Sequence, residues 1–181
     1  MECINPIIIK KMATFEPVSL SSKTYDELVI IVRQSFRDAC ILYIDKIINP
    51  VLLLAFEQRK ADFLLKGVDP NEQQLFHGTK SHSVKSICDN GYKAVLNKVS
   101  AFGKGTYFSS AGSYSKNFAD TTGHEESFMF VNRVLLGAKT TSVNRTYTGD
   151  SGGDGDTIFV CKYDDACLPE YVICFHKNAR V

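Results

Sequence analysis

Leu75-Phe76-His77-Gly78-Thr79, LFHGT, marks the point where the texture of this chain changes. Two apolar residues running into a histidine and then a glycine read as the end of a strand. Downstream, Val84 to Asn90 predicts a short helix closed by Gly91. Beyond it come GTYFS (105–109), SFMFVNRVLL (127–136), TIFVCKY (157–163) and EYVICF (170–175). All are apolar, β-branched or aromatic stretches of strand length with polar or glycine breaks between them. Upstream the pattern is helical. Thr24 followed by Glu27 makes a capping box, and Tyr25, Leu28, Val32 and Phe36 recur at helical spacing. An extended ILYIDKI (41–47) precedes Asn49-Pro50, an N-cap with proline at the first helical position, and Gly67 supplies the stop of that second helix. Helices first and strands afterwards predict an α+β domain.

At 181 residues the chain matches the size of one domain, with residues 1–20 expected as an N-terminal extension and 21–181 as the folded unit. Such a unit buries roughly 70% of the surface its unfolded chain exposes, so neither disulfides nor metals are required for stability. The 21 basic and 20 acidic residues give no broad electrostatic attraction for nucleic acid or anionic membrane. The longest apolar run, Val51 to Phe56, is far short of the roughly 20 residues of a membrane span. Six cysteines occur without a CxxC spacing, and only Cys174 and His176 lie close enough to suggest a metal pair. Reduced thiols in a cytoplasmic or nuclear protein are therefore expected.

Three blocks, LFHGT (75–79), FGKGTYFS (102–109) and FVCKYDDACLPEYVICF (159–175), occur in this order. In them the chain resembles the catalytic domain of the poly(ADP-ribose) polymerase superfamily, in its mono-ADP-ribosylating branch. The resemblance extends over about residues 22 to 178. It implies the ADP-ribosyltransferase fold, two packed antiparallel β-sheets around an NAD cleft with N-terminal helices. It also implies an enzyme that cleaves NAD⁺, releases nicotinamide and transfers one ADP-ribose.

The resemblance assigns roles residue by residue. His77 would hydrogen-bond a ribose hydroxyl on the adenosine side, and the backbone of Gly78, beside Thr79, would hold the nicotinamide carboxamide. Tyr107 would form a wall of the nicotinamide pocket. Ser115, eight residues on, would bond the carboxamide through its hydroxyl. Phe118 falls where many members carry a stacking tyrosine; it keeps a flat aromatic face for a cationic pyridinium but loses the hydroxyl. Physics supports Gly78 independently, because a residue without Cβ lets backbone approach a ligand.

The third signature position falls on Ile158, where polymerising members carry glutamate. Isoleucine cannot accept a hydrogen bond, so a His77-Tyr107-Ile158 triad implies transfer of a single unit. Asp156 would share the face of Ile158 in a regular strand, although the glycines before it argue for a loop. Departures from the family lie in LNKVSA (96–101) and in GDSGGDGD (149–156), which stands where many relatives have a longer loop and a strand. NAD⁺ is thus the expected co-substrate and no metal is expected. The partner would be a macromolecular acceptor, protein rather than nucleic acid or membrane, and the chain is expected to be a monomer. The rival reading is an inactive module of the same fold that binds NAD, ADP-ribose or a protein.

Overall fold

The computed structural model describes residues 12–35, 37, 40–97, 101–119 and 126–176. Phe36, Cys3 and residues 98–100 of LNKVSA lie outside them. Among the described residues eight strands and four α-helices follow one another, beginning with β1 (Thr14–Pro17), α1 (Lys23–Ser35), β2 (Cys40–Ile48), α2 (Pro50–Leu65), β3 (Glu72–Thr79) and α3 (Ser81–Asn90). Then come β4 (Thr106–Ser109), the single-turn α4 (Gly112–Ser115), β5 (Ser127–Leu135), β6 (Ser151–Gly153), β7 (Ile158–Cys161) and β8 (Cys167–His176). The α+β class follows.

Every strand pair is antiparallel, and the order is β1-β2-β8-β5-β3-β4-β7-β6. The ladder is thus continuous, and the two sheets expected from sequence are its two halves. They meet at one residue pair, Phe76 with Ser109, whereas β3 and β5 pair along the whole of β3. The strands part after Phe76.

Strand alternation sorts the apolar side chains onto two faces. Leu75, Phe130, Val134 and Phe159 pack with Phe56 and Phe63 of α2 and Ile87 of α3. Phe76, Met129, Val131 and Ile173 pack with Leu28 and Val32 of α1. A strand buried on both faces carries an unbroken apolar run rather than an alternating one, which is the pattern of FMFV in β5.

Asn49 joins the two helices of the first face. Its Oδ1 accepts from the Leu52 N–H at 3.2 Å and caps α2, while its Nδ2 donates to the carbonyls of Cys88 (2.9 Å) and Asp89 (3.1 Å) at the end of α3. Gly91, at φ 71°, closes α3 by donating its N–H to the Ile87 carbonyl.

Two local readings change. The cap of α1 is Ser22, whose hydroxyl accepts from the Tyr25 N–H at 3.1 Å; Glu27, expected to complete a capping box, pairs instead with Lys23 one turn back. Residues 14–17, within the expected extension, form an edge strand on β2, and the Ala13 N–H donates to Asp89.

Replacing Asn49 with alanine removes one cap and two helix-terminal hydrogen bonds from a buried site. The expected loss is about 2 kcal/mol in urea unfolding, with Asn49→Ser recovering the α2 cap and roughly half of it. Equal stability of all three proteins would show that the α3 carbonyls do not depend on this side chain.

Candidate functional site

A cavity of about 360 Å³ opens where β3 and β4 part. His77, Gly78, Thr79, Tyr107, Ser115 and Phe118, six of the seven residues singled out from sequence, line it together. Ile158 does not. It is buried on β7 opposite Ser109, with β4 between it and the lining residues of β3. Asp156 is exposed in the bend before β7, where the backbone N–H groups of residues 156, 157 and 158 all donate to Asp154 Oδ1.

His77 and Gly78 lie on opposite faces of β3. The His77 Nδ1–H donates to the Tyr107 carbonyl at 2.8 Å, because a carbonyl can only accept. That leaves Nε2 unprotonated, as an acceptor. Removal from water pushes the pKa below the usual 6.5, and the Tyr107 carbonyl only partly opposes this, so the imidazole is neutral at neutral pH.

Gly78 has a reason to lack a side chain that the sequence did not reveal. A Cβ there would sit 1.8 Å from the Ser115 carbonyl oxygen and 3.3 Å from the Ala119 nitrogen. The turn of α4 rests directly on β3 at this point. It thereby delivers Ser115, 3% exposed, to the cavity wall. The Ser115 and Thr79 hydroxyls form no hydrogen bond with any other described residue. Both residues are buried and both face a cavity, which is where a polar ligand group can satisfy them.

The Tyr107 ring contributes to the wall, and its hydroxyl is already engaged. It donates to the Gly103 carbonyl (2.7 Å) and accepts from the Phe102 N–H (3.0 Å). Burial raises its pKa, so the phenol stays protonated. Three further side chains hold the same turn: Asn97 donates to Gly105, Ser142 to Phe102 and Tyr147 to Lys104, each through a side-chain donor to a backbone carbonyl. Phe118 is 46% exposed, and its ring lies 5.4 Å from that of Tyr114, which also lines the cavity.

Sequence reasoning missed Tyr114, Tyr92 and Asn132. Tyr92 lines the cavity behind His77, and its hydroxyl donates to Asn132. A lone asparagine inside the apolar strand SFMFVNRVLL was the available signal. Among the described residues no group of three or more His, Cys, Asp or Glu side chains is placed to hold a metal ion.

A family model described as poly(ADP-ribose) polymerase catalytic domain matches residues 22–162. The chain is 34% identical over 155 residues to protein mono-ADP-ribosyltransferase PARP14 of Homo sapiens, covering 74% of this chain and 9% of that protein. It is 32% identical over 215 residues to protein mono-ADP-ribosyltransferase PARP11 of Mus musculus, covering 97% and 63%. With PARP12 of Mus musculus the identity is 26%, over 90% of this chain and 25% of that protein. The chain therefore spans less than two thirds of the curated relatives it matches.

Gly78→Ala forces a methyl group onto the α4 backbone. A stability loss of about 3 kcal/mol is expected, larger than for an average surface change, and thermal melting reads it directly. An unshifted melting temperature would mean that α4 does not rest on β3 in solution.

The lowered pKa of His77 also fixes a sign. The unfolded chain takes up a proton near pH 6.5, while the folded chain resists until a lower pH. Stability is therefore unaffected by this group at higher pH and is lost as pH falls through about 6.5 toward the folded value. Denaturant titrations across this window are expected to give a steeper fall for wild type than for His77→Asn; identical slopes would contradict the burial of a neutral ring.

Proposed function

The chain belongs to the poly(ADP-ribose) polymerase catalytic-domain family, and on that premise we propose that it is a mono-ADP-ribosyltransferase using NAD⁺ as donor and protein as acceptor. The observation that carries this reading is the convergence of His77, Gly78, Tyr107 and the unpartnered Ser115 hydroxyl on one cavity. Its walls fit a nicotinamide nucleotide in kind. They offer two flat rings for a cationic heterocycle, free hydroxyls for an amide, and a neutral imidazole for a ribose hydroxyl.

In this reading His77 Nε2 accepts from a ribose hydroxyl of the adenosine half, since Nδ1 is committed to the Tyr107 carbonyl. Ser115 and the Gly78 backbone take the carboxamide, with Thr79 beside them. Tyr107 and Phe118 flank the pyridinium ring. Nicotinamide leaves from ribose C1′ as a neutral molecule, and an acceptor side chain bonds to C1′ while losing its proton. The protein contributes orientation and exclusion of water rather than acid catalysis, because the leaving group already carries positive charge.

Ile158 supports transfer of one unit. It offers no oxygen for a second ribose, and the exposed Asp156 lies outside the regular strand that would have placed it beside Ile158. The three relatives described above are protein mono-ADP-ribosyltransferases, which supports the same product and acceptor class. The catalytic unit extends past the matched residues through β8, because that strand pairs with both β2 and β5 in the middle of the sheet. Among the described residues no helix is long and apolar enough to cross a membrane.

The test is incubation with labelled NAD⁺ and a mixture of cell proteins, followed by gel mobility and mass of the adduct. Single ADP-ribose units on protein are expected, and His77→Ala or Tyr107→Ala should reduce transfer on the order of 100-fold while thermal melts show a folded protein. Polymer ladders from the wild type would refute the single-unit reading. Saturable NAD⁺ binding without label on any acceptor would reduce the chain to a binding module.

A further inference from the structure

His77 is held by more than its hydrogen bond to Tyr107. Its imidazole is one of three rings in mutual contact. Tyr92 meets it edge-on at 4.9 Å with an interplanar angle of 72°, Phe108 lies 5.6 Å away at 56°, and Tyr92 and Phe108 meet at 5.2 Å and 79°. The Tyr107 carbonyl selects which nitrogen carries the proton, and the two neighbouring rings select the plane in which the other nitrogen points. Both are needed before Nε2 has one direction.

The Tyr92 ring is itself fixed from behind. Its hydroxyl donates to Asn132 Oδ1 at 2.6 Å, in a part of the core where Tyr92 is 3% and Asn132 0% exposed. The Asn132 amide nitrogen donates to the carbonyls of Leu75 at 3.0 Å and Phe130 at 3.3 Å. Rotating the amide by half a turn would aim its oxygen at two carbonyl oxygens, so only one orientation is satisfied. Leu75 is two residues before His77 on the same face of β3, and the ladder from β5 to β8 shifts register at this asparagine, from Val131 opposite Tyr171 to Asn132 opposite Pro169.

Packing alone does not ask for this arrangement. A phenylalanine against a leucine would fill similar space without burying a hydroxyl and an amide, whose desolvation is costly unless every bond is made. What the polar pair adds is a fixed rotation of the Tyr92 ring, set relative to the very strand that carries His77. We infer that Tyr92, locked by Asn132, is a positioning residue for His77 that sets the plane of the imidazole and so the direction of its free Nε2.

This rests on the proposed role of His77 toward NAD⁺, but its first readout does not. The whole chain, labelled with ¹⁵N in histidine, is examined without nucleotide by long-range ¹H–¹⁵N spectra, with the His77 signals assigned by their loss in His77→Asn. Wild type is expected to show one tautomer, protonated at Nδ1. Tyr92→Leu is expected to show mixed tautomers or broadened His77 signals, and the isosteric Tyr92→Phe a smaller change of the same kind. In the transfer assay KM for NAD⁺ is expected to rise by about tenfold in Tyr92→Leu, the cost of one misdirected hydrogen bond, with kcat changed less. Should the leucine variant fail to fold, Tyr92→Phe carries the test. Folded variants with unchanged His77 shifts and unchanged KM overturn the inference. Altered His77 signals in a protein that transfers nothing would keep the positioning role and sink the enzymatic reading.

Discussion

Between β3 and β4 the ladder holds at a single pair, Phe76 with Ser109, and the cavity begins where it stops. Backbone that loses a strand neighbour must find other partners or lie open to a ligand. Here the gap is bridged by a side chain, because His77, one residue beyond the last pair, donates through its imidazole to the Tyr107 carbonyl. It is propped from the other face by α4, whose Ser115 carbonyl occupies the space a Cβ on Gly78 would need. Divergence of two strands thus creates the cavity, and contacts at the adjacent residues His77 and Gly78 brace its edge from the two faces of β3.

Buried polar atoms elsewhere follow a stricter rule. Asn49 and Asn132 each spend a whole side-chain amide on joining separate elements, Asn49 across α2 and α3, Asn132 across β3, β5 and Tyr92. Among the described residues every fully enclosed side-chain nitrogen or oxygen has a partner. Ser115, Thr79 and Thr106 stand apart: all three are buried and line the cavity, yet their hydroxyls have no protein partner among the described residues. Hydroxyls are inexpensive to leave in contact with water and costly to seal away unbonded. A site whose free donors sit on a rigid wall, with its fixed donors all internally committed, is preorganised for a polar guest.

Much of this was legible in the sequence, for identifiable reasons. Asn49-Pro50 and Gly91 announced their helix ends because capping is local chemistry, set by residues within a turn. The strand stretches were legible because burial on both faces demands unbroken apolar runs. Ser22 was missed because Thr24 and Glu27 satisfied the same pattern two residues later, and the competing i, i+4 pair of Lys23 with Glu27 is invisible to a pattern of caps. β1 and β6 were missed because four residues, or three that include two glycines, carry no period of their own; they are strands only because β2 and β7 offer them edges. Residues carried by a motif gather on the cavity, whereas Tyr92 and Asn132 meet through a hydrogen bond that spans 40 positions and leaves no local pattern. Ile158 shows the opposite limit, since a position in a triad does not by itself put a side chain on the cavity wall.

GDSGGDGD stands where many relatives have a longer loop and a strand, and the packing of the connection from Gly137 to Thr157 that contains it gives the difference a physical sense. Tyr147 lies against Gly103 and Gly152, where an added Cβ would come within 2.8 Å and 2.5 Å of its ring, while its hydroxyl donates to Lys104. Ser142 donates to Phe102 and accepts from the Gly153 N–H, and Asp154 gathers three successive backbone N–H groups into one tight turn. Gly149, Gly152 and Gly153 of GDSGGDGD are therefore places where chain segments touch rather than marks of a slack linker. Those contacts converge on residues 102–105, the same turn that the Tyr107 hydroxyl holds from the cavity side. Moving this loop away would break the bonds from Ser142 and Tyr147 to the turn that fixes Tyr107. On the proposed reading, the rigidity of the Tyr107 wall and the transfer of a single unit would both draw on this one set of contacts.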